Sequence, residues 1–264
     1  MLKISGVRKV FNEGTVNEKV ALREINLHVA PGDFVTVIGS NGAGKSTLMN
    51  IISGGLIPDK GTVTIDGKDV TRLGEHQRAT FVGRVFQDPM AGTAPNMTIE
   101  ENLAIAYGRG RRRTLSFGVT NRKRELFREH LKQLDQGLEN RLKTKVGFLS
   151  GGQRQALSLL MATFTEPKIL LLDEHTAALD PKRAQLIVEL TRKIVERHKL
   201  TTIMVTHNME QALNMGNRLL MMHEGSIILD IPEEKKRTMK PQDLLQAFEA
   251  ARGESFSEDR YLLS

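Results

Sequence analysis

Residues Gly39 to Ser46 read GSNGAGKS and match the spacing G-x-x-x-x-G-K-[S/T]. That spacing commits a chain to one local fold, in which a buried strand feeds a glycine-rich turn and a helix leaves it. The flanks agree. DFVTVIGS is apolar enough for a buried strand, and KSTLMNIISGG reads as a helix stopped by glycines. Glycines let the turn reach positive φ and bring backbone N–H groups against phosphate oxygens. Lys45 would set a point charge on the β- and γ-phosphates, Ser46 would offer a hydroxyl to Mg²⁺, and the helix N-terminus would add its partial positive charge. Gly39, Ser40, Asn41, Gly42, Ala43, Gly44, Lys45, Ser46 and Thr47 are therefore the expected nucleotide-binding residues. Four fixed positions match by chance roughly once in 25,000 start points, so an accidental glycine-rich turn is a poor account of this stretch.

A second stretch, LLLDEHTAALD (Leu170 to Asp180), places two acids after an apolar run. The run is that of a strand buried on both faces of a parallel sheet. In a P-loop ATPase the acid closing such a strand holds Mg²⁺ through water. Asp173 suits that role. Glu174, the longer side chain, points past the metal and could accept a proton from the water attacking the γ-phosphate. His175 reads as a turn residue.

Strand-like and helix-like runs alternate along the chain. GTVTIDGKDV is a hairpin signal around Asp66-Gly67, and GRVFQDP is a short strand ended by Pro89. Thr98 with Glu101 forms a capping box before IEENLAIAY. KRELFREHLKQL and GGQRQALSLLMATF read as further helices, and Asp180-Pro181 opens the helix PKRAQLIVELTRKIVERHK. TTIMVTH is a buried strand, NMEQALNMG a short helix and RLLMMHEGSIILD a late hairpin. The pattern predicts an α/β nucleotide-binding core over residues 1–230 with an all-helical insertion over about 88–165. A charged C-terminal tail, residues 231–264, reads as an appendage with one amphipathic helix, PQDLLQAFEAAR.

Composition narrows the classes. The absence of cysteine excludes disulfides and thiolate metal sites. No apolar run is long enough to span a bilayer, and MLKISGVRKVF lacks the apolar stretch of a signal peptide. The net charge of +7 is uneven, because Gly108 to Leu126 holds seven Lys/Arg and one acid. That stretch reads as a solvated loop and helix start, or as a surface near lipid headgroups. Nucleic acid is not an expected partner, since no DNA-reading module or aromatic stacking platform is apparent.

LSGGQRQ (Leu149 to Gln155) resembles the signature of the ATP-binding-cassette, or ABC, ATPases. The order around it is similar to that family: Phe11, the P-loop, Gln87 in VFQDP, LSGGQ, LLLDE, ALD and His207 in VTHN. The resemblance spans roughly residues 1–230. It implies a RecA-like P-loop core with an antiparallel β subdomain and an inserted α-helical subdomain, binding ATP and Mg²⁺. Phe11 would stack on adenine, although an ordinary phenylalanine would read the same. Gln87 would touch Mg²⁺ and the attacking water. Ser150, Gly151, Gly152 and Gln153 would complete the ATP site of a second copy in trans. His207 would contact the γ-phosphate and orient the water. Asp180 would communicate across the dimer or simply cap its helix.

The same resemblance implies an ATPase subunit that dimerises head to tail on ATP, peripheral to the cytoplasmic face of the cell membrane. Its partners would be an integral-membrane permease and an extracytoplasmic substrate-binding protein. Where the family usually continues Glu174 with Pro, this chain has His175, which would then lie at the dimer seam and mark a subgroup. GRVFQDPMAGTAPNMTIEENLA, DEHTAALDPK and VTHNMEQAL resemble bacterial cassettes associated with uptake of small solutes, aromatic amino acids among them. DPMAGTAPNM would receive the permease, unless it is a plain connecting loop. An exporter subunit and a soluble, non-transport ATPase are the alternatives.

Overall fold

The computed structural model describes residues 1–110 and 118–252. Two sheets face each other. The first is antiparallel, in the order β2-β1-β4-β5, from β1 (Leu2–Phe11), β2 (Lys19–Val29), β4 (Lys60–Ile65) and β5 (Lys68–Asp69). The second holds β3 (Phe34–Gly39), β6 (Val82–Val85), β7 (Ile169–Asp173), β8 (Thr201–Val205), β9 (Arg218–His223) and β10 (Ser226–Pro232). Its order is β10-β9-β3-β8-β7-β6, parallel except for the β9-β10 hairpin. The helices are α1 (Lys45–Ser53), α2 (Glu75–Arg78), α3 (Ile99–Tyr107), α4 (Asn121–Lys132), α5 (Gly151–Thr163), α6 (Pro181–His198), α7 (Met209–Asn214), α8 (Glu233–Lys236) and α9 (Pro241–Arg252).

Alternation along β7 explains its central place. Ile169 and Leu171 enter the core between the two sheets, whereas Leu170 and Leu172 enter the core shared with the helices. All four are fully buried, as a strand covered on both faces requires. Strand β3 sits mid-sheet with β8 and β9 beside it, and β7 follows β8. The C-terminal ends of β3, β8 and β7 therefore lie along one edge. That edge carries the P-loop, His207 and the Asp173–Glu174 pair.

Helices α3, α4 and α5 fall between β6 and β7. Ile99, Leu103, Phe127 and Leu131 share one core with Leu170 and Leu172, so the insertion is packed onto the sheet. Tyr107, Phe127 and Phe164 meet edge to face at 5.7–6.2 Å, a favourable aromatic geometry. The capping box at Thr98 is formed: Thr98 N donates to Glu101 Oε2 at 2.7 Å, and Glu101 N donates back to Thr98 Oγ1 at 3.3 Å.

Residues 231–252 are more tightly joined than an appendage. Leu244 and Phe248 on α9 are buried in a core with Ile38, Met209 and Met221. Lys236 is buried and donates to the carbonyls of Met215 and Gly216 at the end of α7. Burial pushes its ammonium down to about 8. The amphipathic period of PQDLLQAFEAAR shows an apolar face, but not that the face meets the sheet.

Candidate active site

The P-loop closes over itself. Gly44, the N-cap of α1, has φ 99°, and a Cβ there would lie 2.6 Å from the Ala21 carbonyl. Only glycine meets both demands. Lys45 is 6% exposed and folds back, donating from Nζ to Gly39 O at 2.6 Å and Ser40 O at 3.0 Å. Burial lowers its pKa, and the charges of Glu174 and Asp173 oppose that shift. The ammonium is thus held at the loop by two carbonyls that a phosphate can replace.

A cleft of about 200 Å³ opens beside it, lined by Phe11 and Lys19, by Asn41 to Thr47, and by Glu174 and His207. Phe11 ends β1 half-buried, a position from which its ring can meet a base. Glu174 lies just past β7 with φ 44°, a left-handed backbone unusual for a non-glycine residue. Its N–H donates to Val205 O at 3.0 Å, which ties the turn to β8. Its Oε1 sits 2.6 Å from His207 Nε2. His207 in turn lies on a pinned loop: Thr206 Oγ1 donates to Gln211 Oε1 at 2.6 Å, and Gln211 Nε2 donates to Thr176 Oγ1 at 3.4 Å. Gln211 and Thr176 thereby join the His207 loop to the segment after Glu174.

Asp173 accepts from Arg84 Nη2 through Oδ2 at 2.9 Å, and its Oδ1 accepts no hydrogen bond among the described residues. Gln87 is exposed on the loop after β6 and does not line the cleft. That loop is ordered by Asn102, which is 1% exposed. Asn102 accepts from Ala94 N at 2.7 Å and donates to the carbonyls of Ala94 and Thr98.

The signature residues stand apart from the cleft. Ser150 caps α5 and accepts from Gln153 N at 3.3 Å, while Gln153 Oε1 accepts from Ser150 N at 3.2 Å. Helix geometry leaves the N–H groups of Gly151 and Gly152 without acceptors inside the helix. Gln153 Nε2 also donates to Gln136 O at 3.4 Å, so its amide is engaged within the chain. Asp180 caps α6, accepting from Arg183 N at 3.1 Å.

The His175 side chain, expected at a dimer seam, packs inside one chain. It is 2% exposed, with Nε2 3.1 Å from Thr191 Oγ1 on α6. The Thr191 hydroxyl spends its one proton on Ile187 O at 2.7 Å, so it accepts from a neutral imidazole carrying hydrogen on Nε2. Burial pushes His175 down to about 4. Of the basic stretch, Arg109 donates to Met161 O at 3.2 Å and Arg124 pairs with Glu100 at 2.8 Å. Residues 111–117 lie outside the described residues. A hollow of about 470 Å³ on the insertion, bordered by Glu100, Arg124 and Arg128, shares no residue with the cleft.

Nothing local in sequence singles out Lys19, Thr176 or Gln211. Arg84 did leave a signal, because a charge within the apolar run VGRVF demands a partner.

Comparison with known proteins decides the family. The ABC transporter family model matches residues 22–177. The chain belongs to that family. It is a cassette that binds and hydrolyses ATP in coupling to transport. It is 44% identical over 252 residues to the tyrosine transport ATP-binding protein of Clostridioides difficile, covering 95% of this chain and all of the relative. An energy-coupling factor transporter ATP-binding protein of Acetivibrio thermocellus is 35% identical, covering 86% of this chain and 78% of its own. Among solved structures, a dimeric post-hydrolysis ATP-binding cassette bound to ADP and Pi superposes with TM-score 0.76 at 30% identity. It covers 88% of this chain and 99% of that one.

Proposed function

We propose that the cassette powers import of a small solute by closing head to tail on a second copy of itself around ATP. The observation that carries this reading is the separation of two complementary half-sites. The cleft holds Lys45, Glu174 and His207, while Ser150 and its helix N-terminus lie elsewhere on the same chain. A helix start with a hydroxyl and two glycines suits a phosphate that arrives on another copy. Phe148, 77% exposed two residues before Ser150, adds apolar surface that a partner would cover. Dimerisation of a cassette 30% identical to this one supports the same arrangement.

Within the closed site, Lys45 exchanges its own loop carbonyls for β- and γ-phosphate oxygens. Water attacks the γ-phosphorus as the bond to the ADP oxygen breaks, and Glu174 accepts the proton the water loses. His207 turns from Glu174 toward a γ-phosphate oxygen, which frees the carboxylate for that proton. Ser46, Asp173 and Gln87 would hold Mg²⁺, which neutralises charge on the β- and γ-phosphates. All three offer hard oxygen donors, and the unbonded Oδ1 of Asp173 fits a carboxylate reserved for a metal-bound water. Asp180, already a cap, would also meet the partner copy.

Among the described residues no helix is long and apolar enough to cross a membrane; from the transport relatives we assign membrane attachment to a separate permease at the cytoplasmic face. The loop held by Asn102, with Met90 exposed on it, is the surface we assign to that permease. An extracytoplasmic binding protein would deliver the solute. The tyrosine transport relative supports an amino acid, aromatic ones included. Co-expression with a permease encoded beside it tests the reading. The cassette should move to the membrane fraction, and tyrosine-loaded binding protein should raise its ATPase activity. A cassette that stays soluble with the permease present overturns it.

A further inference from the structure

We propose that Arg84 is a positioning residue for the metal site, presenting Asp173 to the metal and tying together the elements that carry all three metal-binding residues. This rests on the reading of Ser46, Gln87 and Asp173 as that site. Arg84 Nη2 donates to Asp173 Oδ2 at 2.9 Å, at the end of β7. Its Nη1 donates to Asn50 Oδ1 at 2.6 Å and to Ser53 Oγ at 3.3 Å, both on α1. Ser46, Asn50 and Ser53 follow the i, i+4, i+7 spacing of one helix face, so Arg84 holds the face that presents Ser46. The guanidinium also stacks 4.7 Å from the ring centre of Phe86, the residue before Gln87. One planar cation thus joins β6, β7 and α1.

Stability alone does not account for it. Its side chain is 12% exposed on the otherwise apolar strand β6, and its Nε is buried without a partner. A buried ion pair is often no better for stability than an apolar side chain of similar volume. What the pair does is local. It occupies Oδ2, and Oδ1 accepts no hydrogen bond among the described residues.

The test compares wild type with Arg84→Met and Arg84→Lys, using Mn²⁺ and a non-hydrolysable ATP analogue. Bound Mn²⁺ is read by electron paramagnetic resonance, and analogue affinity is measured separately in EDTA. Arg84→Met should raise the Mn²⁺ half-saturation about 10-fold or more, the usual scale for an outer-sphere partner. Metal-free analogue affinity should stay within about 2-fold, and Arg84→Lys should recover part of the loss. Asn50→Ala removes the α1 anchor without touching Asp173, and should shift Mn²⁺ in the same direction should Arg84→Met fail to fold. Unchanged Mn²⁺ affinity, or equal losses with and without metal, overturns the proposal. Wild type that binds the analogue equally well with and without Mn²⁺ would instead overturn the metal site itself.

Discussion

The phosphate cleft and the signature end of α5 are both glycine-rich helix starts, yet they are built differently. At the cleft, Gly44 and Glu174 hold left-handed backbone, Lys45 folds onto its own loop carbonyls, and Glu174 meets His207. Strain and borrowed partners mark a surface that rearranges when its ligand arrives. At the signature, Ser150 and Gln153 satisfy each other in an unstrained capping box. That end needs no rearrangement, because its hydroxyl proton and two glycine N–H groups remain available. On the proposed reading, one half-site is prepared to do chemistry and the other to receive what the first presents.

The difference can be broken from either side. Lys45→Ala should act on the cleft alone and give the largest effect. Losing a buried charge that pairs with phosphate costs about 3–5 kcal/mol, so nucleotide affinity of the monomer should fall roughly 100-fold or more by equilibrium titration. Near wild-type binding would remove Lys45 from the site. Ser150→Asp should act on the signature alone. Asp caps a helix as well as Ser does, so folding stability should hold, but its charge opposes an incoming γ-phosphate. Monomer affinity should be unchanged while ATP-driven association drops at least about 10-fold in a sedimentation assay. Equal association would mean that Ser150 does not face the partner's nucleotide.

The smallest effect separates the site from its scaffold. His175 follows Glu174 in sequence but serves the packing of α6. Its folded pKa of about 4 lies below the unfolded value near 6.5, so the unfolded chain binds the extra proton between these limits. Its contribution is complete above about pH 6.5 and is lost as pH falls toward 4. His175→Leu should therefore flatten the fall in urea midpoint between pH 7 and 5 relative to wild type, and leave turnover at pH 7.5 close to normal. An unaltered pH slope, or a large loss of turnover, would contradict this.

Motif-bearing segments were legible because their chemistry is local. The P-loop, the strand ending in Asp173, the Thr98 box and the Asp180 cap all lie where spacing put them. What depended on distant contacts was not legible. Nothing near His175 in sequence announces its packing on Thr191, and nothing near PQDLLQAFEAAR announces a docking face supplied by Ile38, Met209 and Met221. Strands β1 and β2 also escaped the pattern, since bulges at three places interrupt their alternation. The proposed joining of cleft and signature across two copies is of the same kind, because the signature residues do not line the cleft of their own chain.

Glu174→Gln tests that joining most directly. The amide keeps the size of the side chain but cannot take the proton, so turnover should fall at least about 100-fold while ATP still binds. Mass measured by sedimentation should be that of one chain without nucleotide and of two chains with Mg²⁺ and ATP. A variant that binds ATP yet stays a single chain at every concentration would contradict the account.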